Sequence, residues 1–344
     1  MLDIEKLDGE RVSPSLDINP LKLFDIAKSQ GRPLYAAAPM VRYSKLAFRQ
    51  TVAEYGADLA WTPMILAKEF NRSIFARDSD FTTSIKVPPT IVQFGCNSPI
   101  ELSRATTLLA PYVNGVDINC GCPQSWACAE TLGAALMHKR ELVAEMVKEA
   151  KSALKRDGFE GKKTVSVKIR IHKDLRDTVD FINTVQAAGV DFLTIHGRLR
   201  STPSSQPVNL KAIEILTSHT TVPTLSNGDV FTVADAKLHA EVTGVGGVMS
   251  ARGILQNPAL FAGFDSCPWE AVEMFMNKVT RAPIPFKLVV HHVSEMVGSD
   301  RAGGQTGGGA GPLLSKDQRM EMMTCQSMLE LMDFLDGIRE VRRL

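Results

Sequence analysis

Eight short apolar runs, most of them followed by a polar corner and an amphipathic stretch, constrain the fold of this chain more than any other feature. The runs are rich in small and β-branched residues and do not alternate strictly between apolar and polar, which is typical of parallel strands buried on both faces. They lie at residues 34–38, 57–61, 90–94, 115–118, 164–169, 191–195, 222–225 and 246–249. Helices are predicted between them at residues 44–54, 99–109, 141–155, 175–188, 209–218 and 233–239.

The number of strand–helix units distinguishes two α/β architectures. Eight units over residues 33–265 have the usual size of a TIM barrel, the (β/α)8 fold in which a parallel sheet closes on itself. A doubly wound open sheet is the competing arrangement. Because the runs number eight, we predict an α/β protein built on a TIM barrel.

The segments on either side of the barrel differ from it in character. Residues 1–32 are predicted to be an N-terminal arm whose first part is mobile. Residues 266–344 are predicted to form a small helical domain, because apolar residues recur at helical spacing after Phe286 and after Met328. The glycine-rich stretch 301–312 between those helices is predicted to be a flexible loop, and it matches no phosphate-binding fingerprint.

Composition and charge exclude several classes of protein. Of the 344 residues, 44% are hydrophobic and 22% are charged, as in a soluble globular chain and unlike a disordered or fibrous one. The 39 Lys and Arg against 38 Asp and Glu give a net charge of +1, so a globally basic nucleic-acid binder is not indicated. No apolar stretch approaches the roughly 18 residues of a membrane span. Six cysteines without an export signal predict reduced thiols and a cytoplasmic location, with the nucleus as the alternative, and nothing indicates an obligate protein partner.

Distinctive residues, most of them polar, end or follow seven of the eight runs, at the point where the active sites of such barrels lie. One such corner alone is weak evidence, whereas seven in phase with the strands predict a site at the barrel mouth. In chain order the corners are Pro39–Met40, Gln93, Asn119–Pro123, Lys168 with Arg170, His196–Arg198, Asn227–Asp229 and Ser250–Gly253.

The last two corners indicate a phosphate-bearing ligand. Loops after strands seven and eight are the habitual phosphate site of barrels. Asn227-Gly228 offers backbone N–H groups that a ligand can approach closely, and Arg252 adds a guanidinium. Residues 254–258 are predicted to open a short helix whose N-terminus suits an anion. The alternative is that both corners are plain turns chosen for the positive φ of glycine.

Three strand-end side chains add further indications. A buried lysine at position 168 needs an anion, and the N1/O2 edge of a reduced flavin or a phosphate would supply one, although barrel lysines also form Schiff bases. His196, followed by Gly197-Arg198, is interpreted as a ligand contact, with a core histidine as the alternative. The amide of Gln93 suits the imide edge of a flavin, and capping a loop is an equal alternative.

Cys122 is the strongest candidate for a catalytic residue. The pattern formed by Cys120, Cys122 and Cys128 lacks the spacing of metal ligands, so no metal is predicted. A thiol ordinarily has a pKa of about 8.5, so it is mostly protonated near neutrality and can act as a general acid without an activating base. Cys120 and Cys128 are interpreted as packing residues, since free cysteine is often buried.

Eight segments with recognisable motifs occur in order from Leu34 to Phe261. They are LYAAAPMVRYSKLAFR, DLAWTPMI, IVQFG, DINCGCPQSWA, VKIR, TIHGR, LSNGD and GVMSARGILQNPALF. In these segments the chain resembles the tRNA-dihydrouridine synthase family, and it is most similar to the eukaryotic branch that acts on positions 20a and 20b of tRNA. After the cysteine corner, Thr131–Met137 has one glycine fewer than the family pattern.

The resemblance implies a set of site residues. Cys122 matches the family's catalytic proton donor, and Asn119 and Arg170 match positions on the uracil-facing side. Arg198 and other basic residues are expected to contact the tRNA backbone. The positions that match the family's FMN-binding residues are Pro39, Met40, Val41, Gln93, Lys168, His196, Asn227, Gly228, Asp229, Ala251 and Arg252.

The resemblance also implies the reaction. NADPH or NADH is expected to reduce FMN, which then transfers hydride to C6 of a D-loop uridine while Cys122 protonates C5. Two other functions are compatible with the residues alone. One is an FMN-dependent barrel oxidoreductase acting on a small molecule of the dihydroorotate or enoate type, and the other is a non-catalytic barrel that binds RNA.

Overall fold

The eight strands close into a parallel barrel, which confirms the TIM-barrel prediction. The structure, a computed structural model, describes residues 14–84, 86–298 and 311–343. Each strand pairs with the next in chain order, and the first pairs with the eighth to close the sheet. The strands are β1 (Leu34–Ala37), β2 (Leu59–Leu66), β3 (Thr90–Gly95), β4 (Gly115–Cys120), β5 (Thr164–Arg170), β6 (Phe192–His196), β7 (Thr224–Asn227) and β8 (Gly247–Ser250).

Helices surround this barrel and continue beyond it. Several begin directly after a Ser, Thr, Asn or Asp whose side chain accepts a hydrogen bond from the first turn, as helix starts require. The helices are α1 (Pro20–Ser29), α2 (Leu46–Glu54), α3 (Ala67–Arg72), α4 (Ile74–Asp80), α5 (Pro99–Leu109), α6 (Ser125–Ala129), α7 (Arg140–Arg156), α8 (Leu175–Ala187), α9 (Leu210–Ser218), α10 (Val233–Thr243), α11 (Arg252–Gln256), α12 (Trp269–Arg281), α13 (Phe286–Val297), α14 (Lys316–Met322) and α15 (Met328–Arg343). None of the helices in the described ranges is long and apolar enough to cross a membrane.

The sequence did not predict every element correctly. β2 runs to Leu66 rather than ending at residue 61, and a register shift between Trp61 and Met64 accommodates Pro63, which has no N–H for the ladder. The short helices α3, α4, α6 and α14 have five to seven residues, too few for a clear periodic pattern. α12 was also missed, although its buried residues recur at helical spacing.

The inside of the barrel changes from apolar to polar along its axis. One end is filled by a tight cluster that includes Leu34, Trp61 and Phe192. Because alternate residues of a strand share a face, the next inward positions on β4 and β5 are Asp117 and Ser166, both fully buried. The carboxyl ends of the strands therefore present a polar mouth above an apolar floor.

Part of the predicted N-terminal arm belongs to the barrel. α1 crosses the apolar end, where the ring of Phe24 lies 5.7 Å from that of Phe192. Ahead of it, the Ser15 and Ile18 carbonyls accept hydrogen bonds from the Asn114 amide at 2.6 and 2.9 Å. The Lys163 ammonium donates to the Leu16 carbonyl at 2.6 Å. Residues 15–18 are thus held rather than mobile, because they cap buried polar side chains, while residues 1–13 lie outside the described chain.

The tail confirms the two predicted helices as α13 and α15. Its first helices pack on the barrel rather than apart from it: α12 pairs with α2 through Lys278 and Glu54 at 2.9 Å. The buried His292 ring of α13 lies 5.0 Å from the Phe48 ring, and its Nε2 is 3.1 Å from the Tyr43 carbonyl. The predicted flexible loop at 301–312 lies outside the described residues except for its last two.

Replacing Asn114 should loosen the apolar end of the barrel. Its fully buried amide also accepts from the Thr90 N–H at 2.8 Å, so Asn114→Ala leaves that donor unsatisfied and releases residues 15–18. We expect the free energy of unfolding to fall by about 2–3 kcal/mol and the amides of residues 15–18 to exchange faster. Urea denaturation and hydrogen exchange measure both. Asn97→Ala, which removes one exposed side-chain bond, is the control, and equal effects of the two variants would contradict this role.

Candidate active site

Strand register brings the predicted corner residues together at the barrel mouth. Asn119 is level with Lys168 on neighbouring strands, and Arg170 is level with His196, which is level with Asn227. The loops after β1, β4, β7 and β8 add the remaining corner residues at the same end. Residues far apart in sequence therefore line one site.

The turn after β1 is fixed by one serine. The Ser44 hydroxyl donates to the Ala38 carbonyl at 2.8 Å and accepts from the Met40 N–H at 2.9 Å. Pro39 and Met40 are half-buried, and Val41 is exposed. The turn therefore presents Pro39–Val41 at the rim of the mouth in one conformation.

The loop that carries Cys122 is held from below by Asn119. The Asn119 Oδ1 accepts from the backbone N–H of Gly121 at 3.1 Å and of Cys122 at 2.9 Å. Cys122 is half-buried, whereas Cys120 points into the core, where burial raises the pKa of its thiol well above the ordinary value. Among the described residues, no three His, Cys, Asp or Glu side chains come together as metal ligands.

Gly133, which was not predicted as a site residue, contacts the same loop from the other side. Its φ is +60°, and a Cβ there would lie 2.6 Å from the Cys122 carbonyl oxygen and 2.8 Å from the Cys122 Cβ. The Ala134 N–H donates to that carbonyl at 2.9 Å. Only glycine allows this approach, so the loop after Thr131 fixes the backbone of Cys122.

A buried chain of side-chain hydrogen bonds runs from the cysteine loop into the barrel. The Asn119 Nδ2 donates to the Gln93 Oε1 at 2.7 Å, and the Gln93 Nε2 donates to Asp117 at 2.7 Å. The Ser166 hydroxyl donates to the other Asp117 oxygen at 2.7 Å. Asp117 was not predicted as a site residue, and its only sequence signal is that it lies two residues before Asn119 on the same strand face.

Lys168 is a cation without a hydrogen-bond acceptor among the described residues. Burial, with a smaller contribution from the neighbouring Arg170, lowers its pKa to about 8, although Asp117 and Cys122 act in the opposite direction. An ammonium in this setting favours an anionic partner. The mouth therefore holds an unsatisfied positive charge close to Cys122.

His196 is a neutral hydrogen-bonding group. Burial and the cations Lys168, Arg170, Arg198 and Arg252 lower its pKa far below the ordinary value. The Arg198 Nη1, which can only donate, is 3.2 Å from the His196 Nε2, so the proton of the neutral ring lies on Nδ1. His196 can therefore donate one hydrogen bond to a ligand.

Asp229 joins two arginines at the corner after β7. Its carboxylate pairs with Arg198 through Oδ2 and with Arg252 through Oδ1 at 2.7 Å, and its own φ is +49°. Arg198 is 3% exposed, and its Nε donates to the Gln206 carbonyl at 2.9 Å. This burial argues against the predicted contact of Arg198 with RNA, because the folded loop 198–206 encloses the guanidinium.

Arg170 braces two loops. Its Nε donates to the Gly121 carbonyl at 2.8 Å and its Nη1 to the Leu199 carbonyl at 2.8 Å. Its Nη2 makes no such bond within the described chain. Arg170 thus helps to fix the cysteine loop and keeps donor groups for a ligand.

The short helix after β8 begins earlier than predicted. α11 starts at Arg252 rather than at residue 254, and the Ser250 hydroxyl, one residue before the N-cap Ala251, accepts from the Ile254 N–H at 3.1 Å. Ala251 precedes the helix, and the Asn227 amide donates to the Met249 carbonyl at 2.9 Å. At the same corner Gly228 has a φ of +123°, a backbone conformation that residues with a side chain rarely adopt.

Taken together, the charges favour an anionic ligand. Around His196 lie four cations, and the described residues at the mouth set only Asp229 and Asp117 against them. The Nδ1–H of neutral His196 and the backbone N–H groups at the Gly228 corner add uncharged hydrogen-bond donors. The arrangement suits a phosphate-bearing cofactor beside a thiol that can deliver a proton.

The sequence of this chain is similar to that of a known family and of its curated members. The sequence model of the family described as Dihydrouridine synthase (Dus) matches residues 36–305. The chain is 42% identical over 94% of its length to the tRNA-dihydrouridine(20a/20b) synthase of Schizosaccharomyces pombe, 93% of which is covered. The Saccharomyces cerevisiae protein of the same name is 40% identical over 92% of this chain and 83% of its own. Both names also specify NAD(P)+.

A solved structure is similar in fold. A dihydroorotate dehydrogenase from Eimeria tenella, in complex with ferulenol, superposes with a TM-score of 0.51 at 13% identity, covering 73% of this chain and 82% of that one. At this identity the likeness concerns the barrel alone.

Replacing Lys168 with an apolar residue should stabilise the ligand-free protein. A lysine whose pKa falls from 10.5 to about 8 opposes folding at neutral pH, and this opposition is relieved as pH rises through 8. Lys168→Met should therefore raise the free energy of unfolding by about 2–3 kcal/mol at pH 7, with a smaller gain at pH 9.5. Urea denaturation at both pH values measures this.

The exposed Lys173 provides the control. Lys173→Met should change the free energy of unfolding by less than about 0.5 kcal/mol at either pH. A destabilising effect of Lys168→Met at pH 7 would show that the ammonium is already satisfied within the protein.

Proposed function

The chain belongs to the dihydrouridine synthase family, and from this premise we propose that it reduces uridine in tRNA to dihydrouridine, with FMN as its bound cofactor and NADPH or NADH as the reductant. We further propose positions 20a and 20b as its targets. The names of relatives that match nearly the whole chain at 40–42% identity support that choice.

One observation carries the proposal. The Cys122 thiol and the Lys168 ammonium face the same mouth, close enough to interact electrostatically, and neither is paired by the described residues. Reduction of a uracil ring needs a hydride at C6 and a proton at C5. A thiol beside a site for a redox-active anion provides for both.

The residues at the mouth fit FMN. Its phosphate suits the Asn227–Gly228 corner with Ala251 and Arg252, where Asp229 orients the guanidinium. The Gln93 amide nitrogen gives one hydrogen to Asp117 and keeps the second for the imide edge of the ring. Pro39, Met40 and Val41 lie at the rim, where a flat ring system would rest.

The chain's own groups have separate tasks. When bound, FMN supplies the hydride, after NADPH or NADH has reduced it. Lys168 holds negative charge at the edge of the ring system, and His196 donates through Nδ1. Cys122 donates its proton to C5 of the uracil from a fixed backbone position, as a general acid must. Asn119 and Arg170 hold that position and retain donor hydrogens for the base.

The substrate base must leave its stack to reach the mouth. Enzymes that modify a base inside folded RNA extrude it into the active site. Arg170 and the exposed Lys173 and Arg200 can bind the RNA backbone beside the opening. In this proposal Arg198 acts inside the protein, where it orients His196 and Asp229. We assign the protein to the cytoplasm, with the nucleus as the alternative, since tRNA occurs in both compartments.

Mapping dihydrouridine in tRNA tests the proposal directly. Cells that lack this protein should lose dihydrouridine at positions 20a and 20b and keep it elsewhere, as measured by reverse-transcription stops after chemical cleavage. The purified protein should be yellow, and adding it with NADPH to the deficient tRNA should restore the modification. A colourless protein that binds tRNA without changing it would instead indicate a non-catalytic RNA-binding barrel.

Replacing the thiol should separate the two half-reactions. Cys122→Ala should retain flavin and oxidise NADPH at the parental rate, while reduction of uridine in tRNA falls by about 100-fold or more. Stopped-flow absorbance follows the first reaction, and a single-turnover dihydrouridine assay follows the second. Cys325→Ala, in the tail, is the control and should stay within about twofold of the parent. A Cys122→Ala protein that reduces uridine at the parental rate would contradict the assignment.

A further inference from the structure

Asp117 is a fully buried carboxylate for which the proposed reaction has no direct use. It lies on the inward face of β4, beneath the mouth, and is 0% exposed. Gln93 and Ser166 each donate a hydrogen bond to it, and the positive charge of Lys168 lies nearby. A buried carboxylate is costly unless its surroundings compensate for it, so its presence in the barrel interior calls for an explanation.

The carboxylate fixes the direction of the hydrogen-bond chain that ends at Cys122. Because an ionised carboxylate can only accept, Gln93 must turn its Nε2 towards Asp117 and its Oε1 towards Asn119. The Asn119 Nδ2 then donates to Gln93, which leaves the Asn119 Oδ1 to accept from the N–H groups of Gly121 and Cys122. Rotating either amide by half a turn would place donors against donors.

The two side-chain links of this hydrogen-bond network are buried, the last link to the half-buried Cys122 is partly buried, and all three are short. Asp117 is 0%, Gln93 1% and Asn119 7% exposed, and the three side-chain and backbone bonds measure 2.7, 2.7 and 2.9 Å. Water therefore cannot easily replace a missing partner. The second carboxylate oxygen of Asp117 accepts from the Ser166 hydroxyl, and this bond is independent of the hydrogen bonds that lead to Cys122.

We propose that Asp117 is a positioning residue for the catalytic thiol: it orients Gln93 and Asn119, and through them it holds the backbone of Cys122 in place. The thiol role of Cys122 rests on the proposed function, whereas the orientation of its loop does not. Asp117 touches neither cofactor nor substrate in this role.

The variant Asp117→Leu distinguishes positioning from simple packing. Leu fills the space of the carboxylate but leaves the buried donors of Gln93 and Ser166 without their acceptor, so the barrel should unfold at a moderately lower urea concentration. The hydrogen bonds that lead to Cys122 should fail as well, because nothing then fixes the orientation of the Gln93 amide. We expect amide hydrogen exchange at Gly121 and Cys122 to accelerate at least tenfold and single-turnover uridine reduction to slow at least 30-fold.

Two further variants serve as controls. Asp117→Asn keeps an acceptor for Gln93 and should stay within about fivefold of the parent in both measurements. Thr194→Val changes another buried position of the barrel, level with Lys168, whose hydroxyl has no partner among the described residues. It should leave both measurements within twofold.

If Asp117→Leu does not fold, Gln93→Glu and the double variant Gln93→Glu/Asp117→Asn answer the same question. The single variant places two carboxylates against each other and should speed exchange at Gly121 and Cys122. In the double variant the amide introduced at position 117 donates to the carboxylate introduced at position 93, which still accepts from Asn119, so exchange should return to within threefold of the parent.

The proposal is overturned if Asp117→Leu leaves exchange at Gly121 and Cys122 within twofold of the parent, or if the double variant restores nothing. Hydrogen exchange needs neither tRNA nor reduced flavin. Failure of the parental protein to reduce uridine would therefore refute the proposed function and leave this inference to be judged on exchange alone.

Discussion

The structure depends on how the inside of a closed barrel is filled. Eight parallel strands leave no free sheet edge, and their alternate side chains must share one narrow interior. The end under α1 is filled by apolar groups such as Leu34 and Phe192, which need no hydrogen-bond partners. Towards the other end the inward positions carry Gln93, Asp117 and Ser166, which satisfy one another. The apolar floor supplies stability, and the polar layer can therefore be arranged for chemistry.

The described residues leave the positive charge at the mouth only partly compensated. Burial and neighbouring cations keep His196 neutral and lower the pKa of Lys168. The lowered pKa of Lys168 opposes folding at neutral pH, whereas that of His196 opposes folding only as the pH falls below 6.5, where the unfolded imidazole gains a proton. Such unsatisfied charge is typical of sites where binding or catalysis outweighs stability. Asp229 relieves part of it by joining Arg198 and Arg252. An anionic cofactor would relieve the rest, so affinity for the ligand and instability of the empty site have one cause.

The tail and the mouth share a structural element. α13 places the buried ring of His292 against Tyr43, and its Nε2–H donates to the Tyr43 carbonyl. Tyr43 lies next to Ser44, whose hydroxyl fixes the turn after β1. From the other side, the buried Arg49 donates to the Ser44 carbonyl at 2.8 Å. The helical domain therefore does more than extend the surface, since it supports the rim on which the proposed cofactor would rest.

The sequence alone determined the barrel and most of its mouth, because strand burial and strand-end corners are local patterns that recur in the chain. It identified Cys122 and Lys168 by type and position. Tertiary structure decided which contacts the residues make. It placed Arg198 under a folded loop and packed α1 across the apolar end of the barrel. It also set Asp117 beside Gln93, 24 residues away in the chain. Such contacts follow from the register between strands, and no spacing within one strand encodes that register.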